Sequence, residues 1–224
     1  AMASAKDGYE KISEIFSNEI KTIDNDLTSI ENRKSEFREF IENLDNELIA
    51  TVENIIRLTP TIVEVIVKAP LAARKFCPGQ FYRLQNYETT AERKKGINMT
   101  MEGLAMTGAW TDVRKGLLSM IVLEIGVTSR LVAHLRQGER VVVMGPTGSP
   151  THIPKGETVL LAGGGLGNAV LFSIADAMKK NGNKVIYFAG YKNSSDVYKM
   201  DEVEAGTDQV IWSNDTGDII EPRR

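Results

Sequence analysis

The sequence is poor in cysteine and histidine, with one cysteine, Cys77, and two histidines, His134 and His152. A single cysteine excludes an internal disulfide, a zinc site made of several cysteines and a self-contained iron–sulfur cluster. The two histidines stand far apart in the sequence, without acidic residues at ligand spacing. We therefore predict no metal site.

Long apolar runs and an excess of one charge are also missing. No run approaches the roughly 20 apolar residues that a membrane-spanning helix needs, and residues 1–5 lack the apolar core of a signal peptide. The formal charge is −3, whereas nucleic-acid binding requires a clustered basic surface. We therefore expect a cytoplasmic protein that binds neither a membrane nor nucleic acid.

Glycine and proline do not occur in residues 9–59, which are mostly good helix formers. Apolar residues recur there at alternating spacings of three and four, interrupted at Lys34, a pattern typical of a coiled-coil seam. Such a narrow stripe needs a second helix to cover it, from another copy or from elsewhere in the parent protein; alternatively, the helix lies along the following domain. We predict that residues 1–48 form a long coiled-coil or packing helix and that the protein is a homo-oligomer through it. The stripe consists of Phe16, Ile20, Ile23, Leu27, Ile30, Phe37, Ile41, Leu44 and Leu48.

Short segments rich in β-branched residues follow, separated by glycines. About six short strands at regular spacing, with a single short helix at residues 129–135, indicate a closed antiparallel β-barrel. We assign this barrel to residues 49–152. The clearest strand candidates are residues 51–58, 61–67, 80–85, 117–125 and 139–144.

From residue 153 onward, strand and helix patterns alternate. This order predicts a parallel α/β nucleotide-binding unit, here residues 153–224. A complete unit of this kind normally has more strands, so we expect that the domain is partial. The pattern gives strands at residues 158–162, 184–189 and 209–213, and helices at residues 168–180 and 194–205.

A glycine-rich turn joins the first of these strands to its helix. Gly163, Gly164, Gly165 and Gly167 would let the backbone approach a pyrophosphate closely, and the helix beginning at Asn168 would offer its amides and positive dipole end. The spacing departs from the strict dinucleotide fingerprint, and no Lys-Ser/Thr follows as in a P-loop. The alternative is a tight turn packed against the sheet.

Lys192 follows the second strand of this unit, where the adenosine ribose of a bound dinucleotide would lie. Pairing with a 2′-phosphate would favour NADP over NAD; the alternative is a solvated lysine. Tyr198 would either stack on the adenine or cap the edge of the sheet.

Four motifs, taken in order, resemble the ferredoxin–NADP reductase superfamily: Phe76-Cys-Pro-Gly-Gln-Phe-Tyr82, Gly126-Val-Thr-Ser-Arg130, Gly145-Pro-Thr-Gly-Ser149 and Leu161-Ala-Gly-Gly-Gly-Leu-Gly167. Within it, the layout is most similar to the electron-transfer subunit of dihydroorotate dehydrogenase. Shorter strings at residues 82–87, 103–110 and 166–172 resemble the reductase-like module fused to bacterial glutamate synthase small-subunit-like oxidoreductases. The matches run from Leu48 to the end and leave out the helical segment.

The resemblance implies FAD in the barrel, with FMN as the alternative, and NADP or NAD in the following domain. The chain would then be a fragment of an oxidoreductase that moves electrons between NAD(P)H and a domain of the parent polypeptide or a partner protein. The cofactors supply that chemistry, so no residue is named as catalytic, and the fragment is not expected to act alone. Carried over by position, the four loop glycines and Asn168 would hold the NAD(P) pyrophosphate.

The flavin pyrophosphate would lie against Gly126, Thr128 and Ser129 at the start of the short helix. Plain N-capping is the alternative role for Thr128.

One departure from the family pattern concerns the strand that faces the flavin. Where the family has an arginine, then two residues, then serine or threonine, this chain has Glu102-Gly-Leu-Ala105. A carboxylate near a diphosphate is repelled at short range. We expect Thr107 near the flavin ring and Arg83, with Gln85 on the same strand, in place of the missing arginine. The alternative is a non-catalytic binding and assembly module with a degenerate flavin site and an oligomerisation helix.

Overall fold

The computed structural model describes residue 14 and residues 27–223. The chain divides between Asp45 and Asn46 into two compact units. Helix α1, Leu27–Leu48, confirms the helical prediction over that range, while Phe16, Ile20 and Ile23 of the predicted stripe lie outside the described residues. All side chains from residue 31 to residue 48 are exposed. The predicted coiled-coil packing remains a prediction.

Six antiparallel strands close into a barrel in the order β1-β2-β7-β6-β3-β8, which confirms the predicted barrel. A short helix α2, Pro70–Lys75, and a small hairpin of β4 and β5 lie between its strands. The strands are β1 Ala50–Arg57, β2 Ile62–Lys68, β3 Phe81–Asn86, β4 Arg93–Lys94, β5 Ile97–Asn98, β6 Leu104–Asp112, β7 Leu117–Leu123 and β8 Arg140–Thr147.

Side chains alternate across the barrel wall, as the period of a β-strand requires. In β2, the residues Val63, Val65 and Val67 are buried in the barrel interior. Ile62 and Glu64 point to the outer side, where Ile62 joins a second apolar cluster. Helix α3, Val127–Leu131, leads into a 3-10 turn and matches the helix predicted at residues 129–135. The prediction of a single helix in this region is wrong, because α2 is a second one.

The α/β part, here called the α/β lobe (residues 158–214), confirms the predicted parallel unit. Its three strands run parallel in the order β11-β10-β9. Ile62, Ala109 and Ile121 of the barrel share one apolar cluster with Phe172 and Ala175 of the lobe. Barrel and lobe are therefore joined by a common core. The elements are β9 Thr158–Gly164, α4 Asn168–Lys180, β10 Lys184–Tyr191, α5 Met200–Ala205 and β11 Gln209–Asn214.

The helix predicted at residues 194–205 is wrong as a single element. A 3-10 turn, Ser194–Asp196, is followed by a break, and α5 then begins at Met200. Lys199 lies at the break with φ 57° and ψ 37°, in the left-handed region that interrupts a right-handed helix.

One face of the three-stranded sheet is open. Helix α4 covers the face that carries Val185, Tyr187 and Ala189, while Leu160 and Phe188 on the other face are 62% and 42% exposed. Parallel sheets are normally covered on both faces. Across the described part of the chain, every helix is too short or too polar to cross a membrane.

Candidate functional site

A cleft of about 600 Å³ lies on the outer face of the barrel. The ends of β6 and β7 and the residues that lead into α3 form its walls, and Leu166 of the glycine loop contributes from the α/β lobe. The cleft therefore lies where barrel and lobe meet. Its lining consists of residues 104–107, 121–123 and 125–129, together with Leu166.

The turn before α3 is fixed by Ser129. Its Oγ accepts hydrogen bonds from the backbone N–H groups of Ile125 at 3.1 Å and Gly126 at 2.9 Å, and donates to the carbonyl of Gly126. Gly126 is the N-cap residue, so Thr128 lies inside the helix and the N-capping role considered for it is wrong. The amides of the first helical turn lack intrahelical acceptors and border the cleft.

Arg83 stands one strand away from the cleft wall. It pairs with Ala105 of β6, which lines the cleft, and its Nη2 donates to the carbonyl of Gly103 at 3.2 Å. Glu102 is exposed immediately before Gly103. The guanidinium is thus tethered to the backbone of the residue that follows Glu102.

Of the residues predicted to bind flavin, Thr107, Gly126, Thr128 and Ser129 line the cleft. Thr107 pairs with Phe81 on one side and Ile121 on the other, so it sits in the middle of the wall. Arg83 and Gln85 lie outside the lining. Gln85 pairs with Val142 of β8 and lies beyond the stretch of β3 that pairs with β6.

The glycines of the α/β loop fall into two groups. A Cβ on Gly163 would clash with Asn168 Oδ1 and lie 2.7 Å from Leu171 Cδ1, and Gly165 has φ +51°. These two glycines are required by the fold. Gly164 and Gly167 have ordinary backbone angles, and a Cβ on either would meet nothing within 4 Å. Protein packing does not explain the absence of a side chain at these two positions.

Asn168 is fully buried behind the loop. Its Nδ2 donates to the carbonyls of Gly165 at 3.0 Å and Gly190 at 3.2 Å, and its Oδ1 accepts from the hydroxyl of Tyr187 at 2.8 Å. Burial raises the pKa of the Tyr187 hydroxyl, which therefore remains a donor at neutral pH. The Asn168 side chain is used within the protein, so only its backbone is available to a ligand.

Tyr198 also lies beneath the loop rather than beside a nucleotide surface. It is buried, and its hydroxyl donates to the carbonyl of Gly165 at 3.2 Å. The ring meets Phe172 edge to face at 5.7 Å. Tyr198 therefore has no exposed ring face on which an adenine could stack.

Lys192 follows the end of β10 and is exposed. Its ammonium forms no ion pair within residues 27–223. Gly190, two residues before it, pairs with Gly164 of the loop. Lys192 therefore follows the end of β10 that lies beside the start of the glycine loop. Its contact with a 2′-phosphate remains a prediction.

A buried ionic cluster was missed by the sequence reasoning. Glu64 of β2 is completely buried and lies 2.9 Å from Lys199 Nζ in the α/β lobe. The available signal was a lone acidic residue inside the apolar strand Ile62–Lys68. Among the residues that the structure describes, no group of three potential metal ligands comes together.

Comparisons with known proteins agree with this geometry. The chain is 38% identical over 187 residues to an uncharacterized protein of Rickettsia prowazekii, covering 84% of this chain and 24% of that protein. It is 28% identical over 171 residues to a dihydroorotate dehydrogenase B (NAD(+)), electron transfer subunit homolog of Thermotoga maritima, covering 76% and 55% of the two chains. The chain thus spans about a quarter and about half of these relatives. No family model matches it.

Solved structures give the same fold. An NADH-dependent reduced ferredoxin–NADP oxidoreductase matches with a TM-score of 0.66 and 24% identity over 78% of this chain and 59% of the other. A ferredoxin reductase in carbazole 1,9a-dioxygenase matches with a TM-score of 0.61 and 22% identity over 78% and 52%.

The curated relatives and the shared fold support the assignment to the ferredoxin–NADP reductase superfamily that the motifs predicted. Within that superfamily its curated relatives include electron-transfer subunits of dihydroorotate dehydrogenase. The narrower resemblance to modules fused to glutamate synthase-like oxidoreductases remains a prediction.

Proposed function

We propose that this chain is the flavin- and NAD(P)H-binding part of an oxidoreductase that transfers electrons between NAD(P)H and a further domain or partner protein. One observation carries the proposal: Leu166 of the glycine loop lines the same cleft as Thr107 and the turn before α3. A nucleotide on the loop and a flavin in the cleft would therefore be neighbours. The relatives named as electron-transfer subunits support this assignment.

The cleft residues suit a flavin. Ala105, Ile121 and Leu123 offer an apolar outer wall for a ring system, and the first-turn amides of α3 suit a phosphate. Arg83, bound to the carbonyl of Gly103, adds a cation on the neighbouring strand. When bound, the flavin supplies the hydride-accepting chemistry, and the chain binds and orients it.

The open space at Gly164 and Gly167 supports nucleotide binding to the loop. Neither position needs glycine for packing or for backbone angle, whereas close approach of a pyrophosphate to the backbone would exclude a Cβ. Asn168 and Tyr198 hold the loop from behind through the carbonyl of Gly165. The loop is thus fixed before any ligand arrives, which limits the entropy lost on binding.

The open sheet face supports a larger functional unit. Leu160 and Phe188 present apolar surface to solvent on the face opposite α4, although parallel sheets are normally buried on both sides. We infer that further polypeptide covers this face in the active protein. We therefore expect the chain alone to bind its cofactors more readily than it catalyses electron transfer.

The first test is a visible absorption spectrum of the purified chain after incubation with FAD and removal of free ligand. A bound-flavin spectrum is expected, and Arg83→Ala should weaken FAD binding by about tenfold to a hundredfold, because a charge-assisted contact is lost. Arg114→Ala, at an exposed position in the turn after β6, is the matched control. FMN titrated in parallel distinguishes the two flavins.

A second candidate function, a binding and assembly module without flavin, is favoured by Glu102 at the usual arginine position and by the exposed apolar residues of α1. A colourless protein, both as this chain and within the longer parent polypeptide, would support this candidate and overturn the first. An unchanged FAD affinity in Arg83→Ala would remove only the role given to Arg83.

A further inference from the structure

Glu64 is an unusual residue for a barrel strand, because its carboxylate faces outward and is nevertheless completely buried. Its Oε1 accepts hydrogen bonds from Trp110 Nε1 at 2.8 Å and from Ser119 Oγ at 2.6 Å. Both donors belong to the barrel, on β6 and β7. The barrel therefore fixes one oxygen of the carboxylate and leaves the other directed away from it.

That second oxygen, Oε2, meets the α/β lobe. It lies 2.9 Å from Lys199 Nζ in an ion pair and accepts no hydrogen bond within the described part of the chain. The same ammonium lies 2.9 Å from Glu202 Oε1. The Lys199 side chain is 13% exposed. Burial alone would lower the pKa of Lys199, but the contacts with Glu202 and Glu64 outweigh it and raise that pKa, so the Lys199 ammonium is charged at neutral pH.

The backbone of Lys199 is held in a left-handed conformation, with φ 57°, which is unfavourable for a residue with a Cβ. This conformation directs the chain between the 3-10 turn and α5 so that the ammonium reaches Glu64. Strained residues persist where their surroundings over-determine them. Here those surroundings are the two carboxylates.

The segment that carries Lys199 also supports the glycine loop. Tyr198, the adjacent residue, donates to the carbonyls of Gly165 at 3.2 Å and Leu166 at 3.5 Å. Leu166 in turn lines the flavin cleft of the barrel. A continuous series of contacts thus runs from the barrel wall through Glu64, Lys199 and Tyr198 to the loop.

We propose that the Glu64–Lys199 ion pair is a positioning device that sets the glycine loop against the flavin cleft. The apolar core shared by the two parts is non-directional, whereas Trp110 and Ser119 hold the Glu64 carboxylate by hydrogen bonds and leave one buried oxygen for Lys199. The pair therefore fixes the orientation of the α/β lobe. Its consequence for hydride transfer rests on the function proposed above, since donor and acceptor must be aligned closely.

The first experiment measures this orientation without any cofactor. Cys77 is exposed in the barrel and is the only cysteine of the chain, so a spin label there and another at Lys184→Cys, exposed at the start of β10, report the distance between barrel and lobe. A single narrow distance distribution is expected in the otherwise unchanged protein. Lys199→Met and Glu64→Gln should each broaden it.

Loss of folding must be separated from loss of positioning. Lys199→Met leaves the buried Glu64 carboxylate without its cation, and Glu64→Gln leaves Lys199 with Glu202 alone, so each single variant lowers stability. The double variant Glu64→Gln/Lys199→Met removes both charges of the buried pair and should regain most of that stability. The double variant is expected to have an unfolding midpoint near that of the unsubstituted protein. Its distribution of distances between the two spin labels should remain broad. Lys180→Met, which breaks an exposed ion pair with Asp176 on the same lobe, is the matched control and should change neither quantity.

A label-to-label distance distribution in the double variant as narrow as that of the unsubstituted protein would overturn the proposal.

The second experiment uses the flavin-loaded longer protein. The double variant should lose up to about a hundredfold in kcat, with little change in the KM for NAD(P)H, because the loop contacts are untouched. Unchanged kcat with a broadened distribution would refute the catalytic consequence. A protein that binds no flavin would refute the proposed function and leave the label measurement valid.

Discussion

The hydroxyl of Tyr187 donates a 2.8 Å hydrogen bond to Asn168 Oδ1, and both residues are fully buried. Asn168 in turn holds the carbonyls of Gly165 and Gly190. This places a rigid polar clamp between the end of β9, the start of α4 and the end of β10. The glycine loop thus takes its shape from side chains behind it, and its front is left for a ligand.

Replacement of Asn168 by alanine should destabilise the protein by about 3 kcal/mol, because several buried polar groups lose their partner at once. Tyr187→Phe removes a single donor and should cost about 1 kcal/mol. Urea unfolding followed by circular dichroism measures both. Equal losses of unfolding free energy in the two variants would contradict the role of Asn168 as the partner of several buried polar groups.

The two groups of loop glycines should respond differently to alanine. Gly163→Ala forces a Cβ into Asn168 and Leu171 and should cost about 1–3 kcal/mol of stability. Gly164→Ala enters open space and should leave stability nearly unchanged while weakening NAD(P)H binding. Calorimetric titration and thermal unfolding of the same two variants separate the effects. Undiminished NAD(P)H affinity in Gly164→Ala would count against pyrophosphate binding at the loop.

Four buried tyrosines make the fold sensitive to alkali. Burial raises the pKa of Tyr82, Tyr187, Tyr191 and Tyr198. Since the folded pKa lies above the unfolded value of about 10, their contribution to stability is complete below that pH and is lost as the pH rises toward the folded value. We expect the free energy of unfolding to fall above about pH 10. Ultraviolet absorbance should show these phenols ionising together with unfolding; their ionisation while the protein remains folded would contradict the burial.

Helix α1 offers a test of the proposed homo-oligomer. Phe37, Ile41 and Leu44 are exposed along it, and a charge at the centre of an apolar seam is destabilising. Ile41→Glu should therefore shift the protein toward the monomer in sedimentation velocity. Glu39→Gln, also exposed on the helix, is the control. If the protein without the substitution sediments as a monomer, the proposed homo-oligomer is refuted.

Local patterns were sufficient for most elements. The β-branched run at residues 61–67 predicted a strand, and the glycine run between an apolar strand and a predicted helix indicated the turn that the structure shows. Strand β6 was harder to recognise, because Gly108 interrupts it. The tertiary structure explains that glycine, since a Cβ there would lie 2.5 Å from the ring of Phe76.

The sequence by itself determined the order of helix, barrel and parallel α/β lobe, and it placed four predicted residues, Thr107, Gly126, Thr128 and Ser129, on the cleft. The order of the elements follows from local periodicity and turn chemistry, which act between near neighbours in the chain, whereas the four cleft residues were implied by the resemblance to the reductase superfamily. Only the tertiary structure decided that Asn168 and Tyr198 support the loop from behind, and that Glu64 meets Lys199 across the two parts. Those contacts join residues distant in sequence, and a buried polar group finds its partner only when packing has excluded water from both.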